Sequence, residues 1–219
     1  MIALQDIEPD KIFKTFLGTF TSLFSVINPL GAMPIFIALT TDHGQEYQKL
    51  MSRKASIYMV IILAFFLLAG TYLMSFFGIS IEAIRIAGGA IVFRSGFLLL
   101  TPRENNNLSK KSKLEALEKP DISLTPLALP ILSGPGSIAA TLSYATHATR
   151  PFRLIILGSI IAVGLITYLC LVLSSRLVPY MGKSGLEAVT KLMGFLSMVI
   201  GVQFIMNGVQ SYIEKGFLN

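Results

Sequence analysis

Six predominantly apolar runs divide this chain, at approximately 13–40, 55–77, 81–101, 124–148, 153–175 and 186–211. A helix of about 20 residues crosses a hydrocarbon core of about 30 Å. Inside that core every peptide N–H and C=O must be bonded within the protein, so spans of this kind fold as helices. Only 14% of the 219 residues are charged, against roughly 25% in an average soluble domain. The expected fold is an all-α membrane protein with six transmembrane helices.

Two of the six runs carry helix breakers near their middles. The first reads Ser25-Val26-Ile27-Asn28-Pro29-Leu30-Gly31-Ala32-Met33-Pro34, and the fourth reads Leu129-Pro130-Ile131-Leu132-Ser133-Gly134-Pro135-Gly136-Ser137. An interior proline removes one hydrogen bond and clashes with the carbonyl a turn earlier. Irregular backbone at membrane depth is tolerated only against protein or a wet cavity. Broken spans in corresponding halves of a chain point to a transporter's binding site. A half-helix starting inside the membrane offers free N–H groups to an anion, and unwound carbonyls suit an ammonium or a cation. Asn28, Pro29, Gly31, Pro34, Ser133, Gly134, Pro135, Gly136 and Ser137 are therefore the candidate substrate-binding residues. The glycines would let a ligand approach the backbone closely.

The halves also repeat. Glu82-Ala83, Gly89 and Gly96 of the third run match Glu187-Ala188, Gly194 and Gly201 of the sixth at one offset of 105 residues, and Pro29 matches Pro135 at 106. A unit with an odd number of spans re-enters the membrane from the opposite face when duplicated. Two inverted three-helix repeats are expected, 1–101 and 124–219, joined by a polar linker at 102–123, with helices 1 and 4 broken. Glycines seven apart share a helix face and invite close helix packing. Glu82 and Glu187 stand at helix starts, where a carboxylate complements the dipole.

Loop charges set an orientation. Lys49, Arg53, Lys54, Arg103, Lys110, Lys111, Lys113, Lys119, Arg176, Lys183 and Lys191 follow spans one, three and five, whereas Lys11, Lys14, Arg85, Arg150, Arg153 and Lys215 lie on the other side. The bias places the linker in the cytoplasm and both termini outside an inner membrane. Asp6, Glu8 and Asp10 stand where a leader's basic region would be, so no cleavable signal is expected. The net charge of +6 serves orientation, since the basic residues are not gathered with aromatics as nucleic acid would require. The loop 42–54 is expected to begin as a short helix.

Other residues are secondary candidates. Thr125 adds a hydroxyl near the second break, and Gln203 and Asn207 lie four apart on one helix face. Arg94 is the one charge deep within a span, which makes it a functional candidate. No Asp or Glu lies at mid-membrane, so coupling would use sodium at carbonyls, or protons through Glu82, Glu187, substrate or water. Cys170 alone gives neither a disulfide nor a metal site. His43 and His147 fall in loops, and no cofactor is implied.

At its two broken motifs and at Arg85-Ile86-Ala87-Gly88-Gly89 the chain resembles the MarC family of inner-membrane proteins, over essentially its whole length. That family includes SnatA-type transporters of small neutral amino acids. The resemblance implies six spans in two inverted repeats and transport of small amino acids such as glycine and alanine. It assigns the broken-helix site to Asn28, Pro29, Gly31, Pro34, Gly134, Pro135 and Gly136. Arg94 and the asparagine-rich linker match no family pattern. The expectation is a secondary transporter working by alternating access. The rival is an ion channel or metal-ion permease using the same carbonyls. A membrane enzyme is disfavoured, because the spans hold no nucleophile–base set.

Overall fold

The computed structural model describes residues 9–40, 43–101, 121–147 and 149–217. The polar lead-in to residue 8 and the 102–120 portion of the linker lie outside the described residues. Everything regular within them is helical: α1 (Pro9–Ile27), α2 (Pro29–Thr40), α3 (Gln45–Phe77), α4 (Ile81–Leu100), α5 (Ser123–Leu132), α6 (Pro135–His147) and a last run, Arg150–Phe217. Gly182, at φ 65 and ψ 176, breaks that run. It divides into α7 (Pro151–Gly182) and α8 (Ser184–Lys215).

Five stretches are long and apolar enough to cross a membrane: Pro9–Thr40, Gln45–Phe77, Ile81–Leu100, Pro151–Gly182 and Ser184–Lys215. The fourth apolar run of the sequence is instead two short pieces, α5 and α6. In α5 the amides of Leu127 and Ser133 donate five residues back, to the carbonyls of Ile122 (3.2 Å) and Ala128 (2.7 Å). Such wide turns are rare and favour functional sites. Thr125 and Leu129, each preceding a proline, adopt extended backbone, as the proline ring demands. The charged segment after Thr41 is not a separate short helix. It is the start of α3, because nothing between Gln45 and the apolar run breaks the helix. At about 1.5 Å per residue this 33-residue rod outreaches the hydrocarbon.

Burial follows helical period. On α3, Ala55, Met59, Leu63 and Leu67 are buried, while Ile57, Ile61, Phe65 and Leu68 face outward. Leu154, Ile161 and Leu165 of α7 and Leu192, Val199 and Met206 of α8 are exposed as well. Apolar faces of this extent suit a bilayer rather than water.

Paired ends order the bundle. Gln48 at the start of α3 donates to the Thr40 carbonyl closing α2 (3.3 Å), and Lys54 meets Asp121 ahead of α5 (2.6 Å). We call this the linker side. At the other end Lys215 of α8 meets Glu82 of α4 (2.6 Å), and Ser159 of α7 donates to the Phe16 carbonyl of α1 (3.1 Å). Here Gly78 (φ 63) ends α3, and the Ser80 hydroxyl caps α4 by accepting from Ala83. Between the two ends, α4 and α8 run antiparallel with their backbones nearly touching. A Cβ on Gly89 would lie 2.6 Å from the Gly201 carbonyl, and one on Gly96 would lie 2.4 Å from the Gly194 carbonyl.

Two predictions follow from this packing. Gly201→Val would place Cβ 2.5 Å from the Phe93 amide nitrogen; we expect a loss of about 1–3 kcal/mol, read as a lower melting temperature in detergent. Gly158→Ala, with nothing within 4 Å of the new Cβ, should leave that temperature unchanged. The second prediction concerns Asp121. Burial raises its pKa, but the hydrogen bonds from Lys54 and Ser123 outweigh burial and hold it down to about 2. An unperturbed aspartate titrates near about 3.9, so this clasp is intact above about pH 4 and is lost as pH falls toward 2. Melting curves across that window should fall less steeply for Asp121→Asn than for the parent.

Candidate functional site

The first interruption is a single residue wide. Asn28 takes φ 50, a left-handed conformation that asparagine tolerates better than most side chains. Its amide still donates to the Phe24 carbonyl (2.9 Å), closing α1, while its carbonyl accepts from Ala32 (3.1 Å), opening α2. The side chain completes the turn: Asn28 Oδ1 accepts from the Gly31 amide at 3.1 Å. Pro29 begins α2 where an N–H would have had no helical partner. Five residues later Pro34 sits inside α2, deleting the donor that would have met the Leu30 carbonyl.

The second interruption is longer, from Thr125 to Gly134. The Gly134 carbonyl accepts from Ile138 (3.1 Å) and opens α6, at the position equivalent to Asn28 under the 106-residue offset. Ser137 turns its hydroxyl back onto the carbonyls of Gly134 (2.9 Å) and Leu132 (3.3 Å). Ser133 is wholly buried, and its hydroxyl has no hydrogen-bond partner. A buried unsatisfied hydroxyl costs about 1–3 kcal/mol and marks a place where a ligand or water would be welcome.

The two interruptions are neighbours, since Gly136 packs between Val26 of α1 and Val92 of α4. A Cβ there would lie 3.1 Å from Val92 and 3.5 Å from Val26. Two of the candidate glycines stand close against neighbouring side chains. At Gly31 a Cβ would run into the Asn28 amide at 2.2 Å, so this glycine exists to admit the cap. Asn28, Pro29, Gly31, Ser133, Gly136 and Ser137 are buried, Pro34, Gly134 and Thr125 are half-buried, and Pro135 is exposed.

Arg94 does not join them. It is exposed on α4, whose buried side is formed by Gly88, Gly89, Val92 and Gly96. Arg94, a functional candidate by its depth alone, stands two residues beyond Val92, roughly half a helical turn from the buried face. Gln203 and Asn207 bond one another (2.8 Å) on α8, apart from both breaks in sequence. Sequence reasoning passed over Ser22, Ser25 and Ser197. Ser197 donates to the Ser25 carbonyl (2.8 Å) and its hydroxyl stands 3.4 Å from that of Ser25. The available signal was the three-residue spacing of Ser22 and Ser25, which puts two hydroxyls on one face of an apolar helix. Among the described residues no cluster of His, Cys, Asp and Glu is placed to hold a metal.

A family model described as MarC family integral membrane protein matches residues 13–213. The chain belongs to the MarC family. Its relatives in that family include the UPF0056 membrane protein YvbG of Bacillus subtilis, 36% identical over 202 residues, covering 91% of this chain and 96% of that protein. A UPF0056 membrane protein of Methanocaldococcus jannaschii is 36% identical over 197 residues, covering 89% and 96%. The UPF0056 inner membrane protein MarC of Salmonella paratyphi A is 35% identical over 215 residues, covering 93% and 97%. No solved structure matches the chain. Membership in MarC makes the protein an integral membrane protein with multiple apolar helices, in keeping with its lipid-suited exterior.

The collision between Gly31 and the Asn28 cap can be measured. Gly31→Ala alone should lower thermal stability, because the new methyl displaces the Asn28 amide. In an Asn28→Gly background, which keeps the φ 50 turn and removes the obstacle, the same alanine should cost less. A coupling energy of about 0.5–3 kcal/mol in the double-mutant cycle is expected.

Proposed function

We propose that this MarC-family protein is a secondary transporter of small neutral amino acids such as glycine and alanine, holding its substrate at the two interrupted helices. The observation that carries the reading is the matched pair of helix starts inside apolar runs, Asn28 opening α2 and Gly134 opening α6. Neither interruption contains a charged side chain. The site would therefore rely on main-chain dipoles, with the carboxylate at the free amides of Leu30 and Gly136 and the amine at the Leu30 carbonyl. A net-neutral zwitterion satisfies both, whereas a singly charged ion leaves one set unmet.

The same reading treats α1–α2 and α5–α6 as one span each, giving six spans in two inverted three-helix repeats. Two facts support it. The helix starts at Asn28 and Gly134 are equivalent at one offset, and the repeat-matched glycines face each other crosswise, Gly89 to Gly201 and Gly96 to Gly194. That crosswise pattern is what a two-fold relation generates. The lysine and arginine bias favours a cytoplasmic linker side with both termini outside the inner membrane. Phe36, Met33, Met51, Met59 and Leu127 are fully buried around α2 and the linker-side parts of α3 and α5. Closure from one side at a time is what alternating access requires. Sodium at main-chain carbonyls, or a proton carried with the substrate, would supply the coupling.

The rival reading, a channel or metal-ion permease, draws on the unpartnered Ser133 hydroxyl and the same carbonyls. Counterflow of labelled L-alanine into proteoliposomes, with and without sodium and a pH gradient, separates the two. A carrier saturates and exchanges, whereas a channel passes current irrespective of alanine. Asn28→Ala should abolish alanine counterflow while the protein still purifies as a monodisperse folded species. Undiminished saturable exchange by that variant would remove Asn28 from the site.

A further inference from the structure

A groove of about 320 Å³ runs between α1, α6 and α8, near the lower limit for pockets that hold small molecules. Its polar lining is Thr21, Ser22 and Ser25 from α1, Tyr144 from α6 and Gln203 from α8, against apolar walls of Leu196, Ile200 and Phe204. Phe204 and Tyr144 meet edge to face (centroids 6.1 Å). At the inner end Ser25 is held to Ser197, and Ser25 lies one helical turn before Asn28.

We propose that this groove is a docking site for a small neutral zwitterion, occupied before the solute reaches the interrupted helices; the inference rests on the transport reading. Three observations carry it. Ser22 is 6% exposed and its hydroxyl has no hydrogen-bond partner. Tyr144 of α6 lines the same groove. A polar group entering the groove would satisfy the Ser22 hydroxyl. Secondly, the lining offers donors and acceptors but no charge, which suits a solute of zero net charge. Gln203 uses its amide nitrogen on Asn207 (2.8 Å), leaving its carbonyl oxygen to accept from an ammonium.

The third observation is a polar approach. Gln203, Asn207, Ser211 and Lys215 recur every fourth residue, so they form one stripe along α8 from the groove to the end opposite the linker side. Arg85 of α4 reaches across to that stripe, donating to Ser211 (3.1 Å) and to Ser143 of α6 (3.2 Å). Beyond it stands the Glu82–Lys215 pair. Polar side chains at membrane depth line water or bury against protein. In this proposal the stripe is the approach from the bundle end inward, with the Arg85 guanidinium part-way along it to draw a carboxylate.

The test uses the full chain in proteoliposomes with Cys170→Ala as parent, so that an introduced thiol is alone. Ser22→Cys should react with a small, cationic, membrane-impermeant thiosulfonate reagent, and saturating L-alanine should slow that reaction several-fold. Gln203→Leu should raise KM for alanine about tenfold, the value of one lost hydrogen bond. If Ser22→Cys does not fold, Thr21→Cys reads the same groove. Intact alanine counterflow with labelling that alanine does not slow would overturn the docking site and leave the transport reading standing. A thiol unreachable by the reagent would show the groove sealed by lipid or a second copy, and would overturn it too. Absence of alanine counterflow in the parent would remove the transport reading, and the docking site with it.

Discussion

The close approach of α4 and α8 is the contact on which this arrangement depends. Apolar side chains gain little from meeting one another in a bilayer, because lipid is as apolar as they are. Helices there associate through dispersion at short range and through hydrogen bonds. Gly89 and Gly96 against Gly201 and Gly194 supply the first. Ser25 with Ser197, and Arg85 with Ser143 and Ser211, supply the second. Gly208 continues the same line, where a Cβ would meet the Glu82 carbonyl at 3.0 Å. With this pair fixed, α6 lies along α4, where Gly88 admits Ala139, and the start of α6 is brought beside α1 at Gly136.

That placement is what puts two helix interruptions next to each other. Each resolves its stray peptide groups by its own means. Asn28 uses a side-chain cap and a left-handed turn, and the second break uses wide turns and the Ser137 hydroxyl. At the second break the Ser133 hydroxyl is left without a partner. Protein buries Ser133 completely, and the polar groove lies toward the end opposite the linker side.

Much of this was legible in the sequence. The apolar runs gave the helices, Asn28-Pro29 stands where α1 ends and α2 begins, and the glycines seven apart announced close packing without naming the partner helix. Helical period and proline chemistry act locally, so a single sequence displays them. Other features depend on partners distant in the chain. The direction in which Arg94 points was invisible, since a lone charge in a span reads the same whether it faces the bundle or away from it. The roles of Gly31 and Gly136 needed the positions of the Asn28 side chain and Val92. Ser197 became important only when α8 was laid against α1. The charged start of α3 was read as separate because composition changes there, although the backbone has no reason to stop.

The crossed glycines have a mechanical consequence. Two rods touching at one point can pivot about it. These meet at Gly89 and Gly96 and again at Gly208, successive contacts being seven residues or about 10 Å apart along the axis, and at each a glycine stands against the partner's backbone carbonyl. Such a bearing fixes both the crossing angle and the sliding register. Packed this way, α4 and α8 form one beam, and the helical backbone is broken elsewhere, at Asn28 and Gly182.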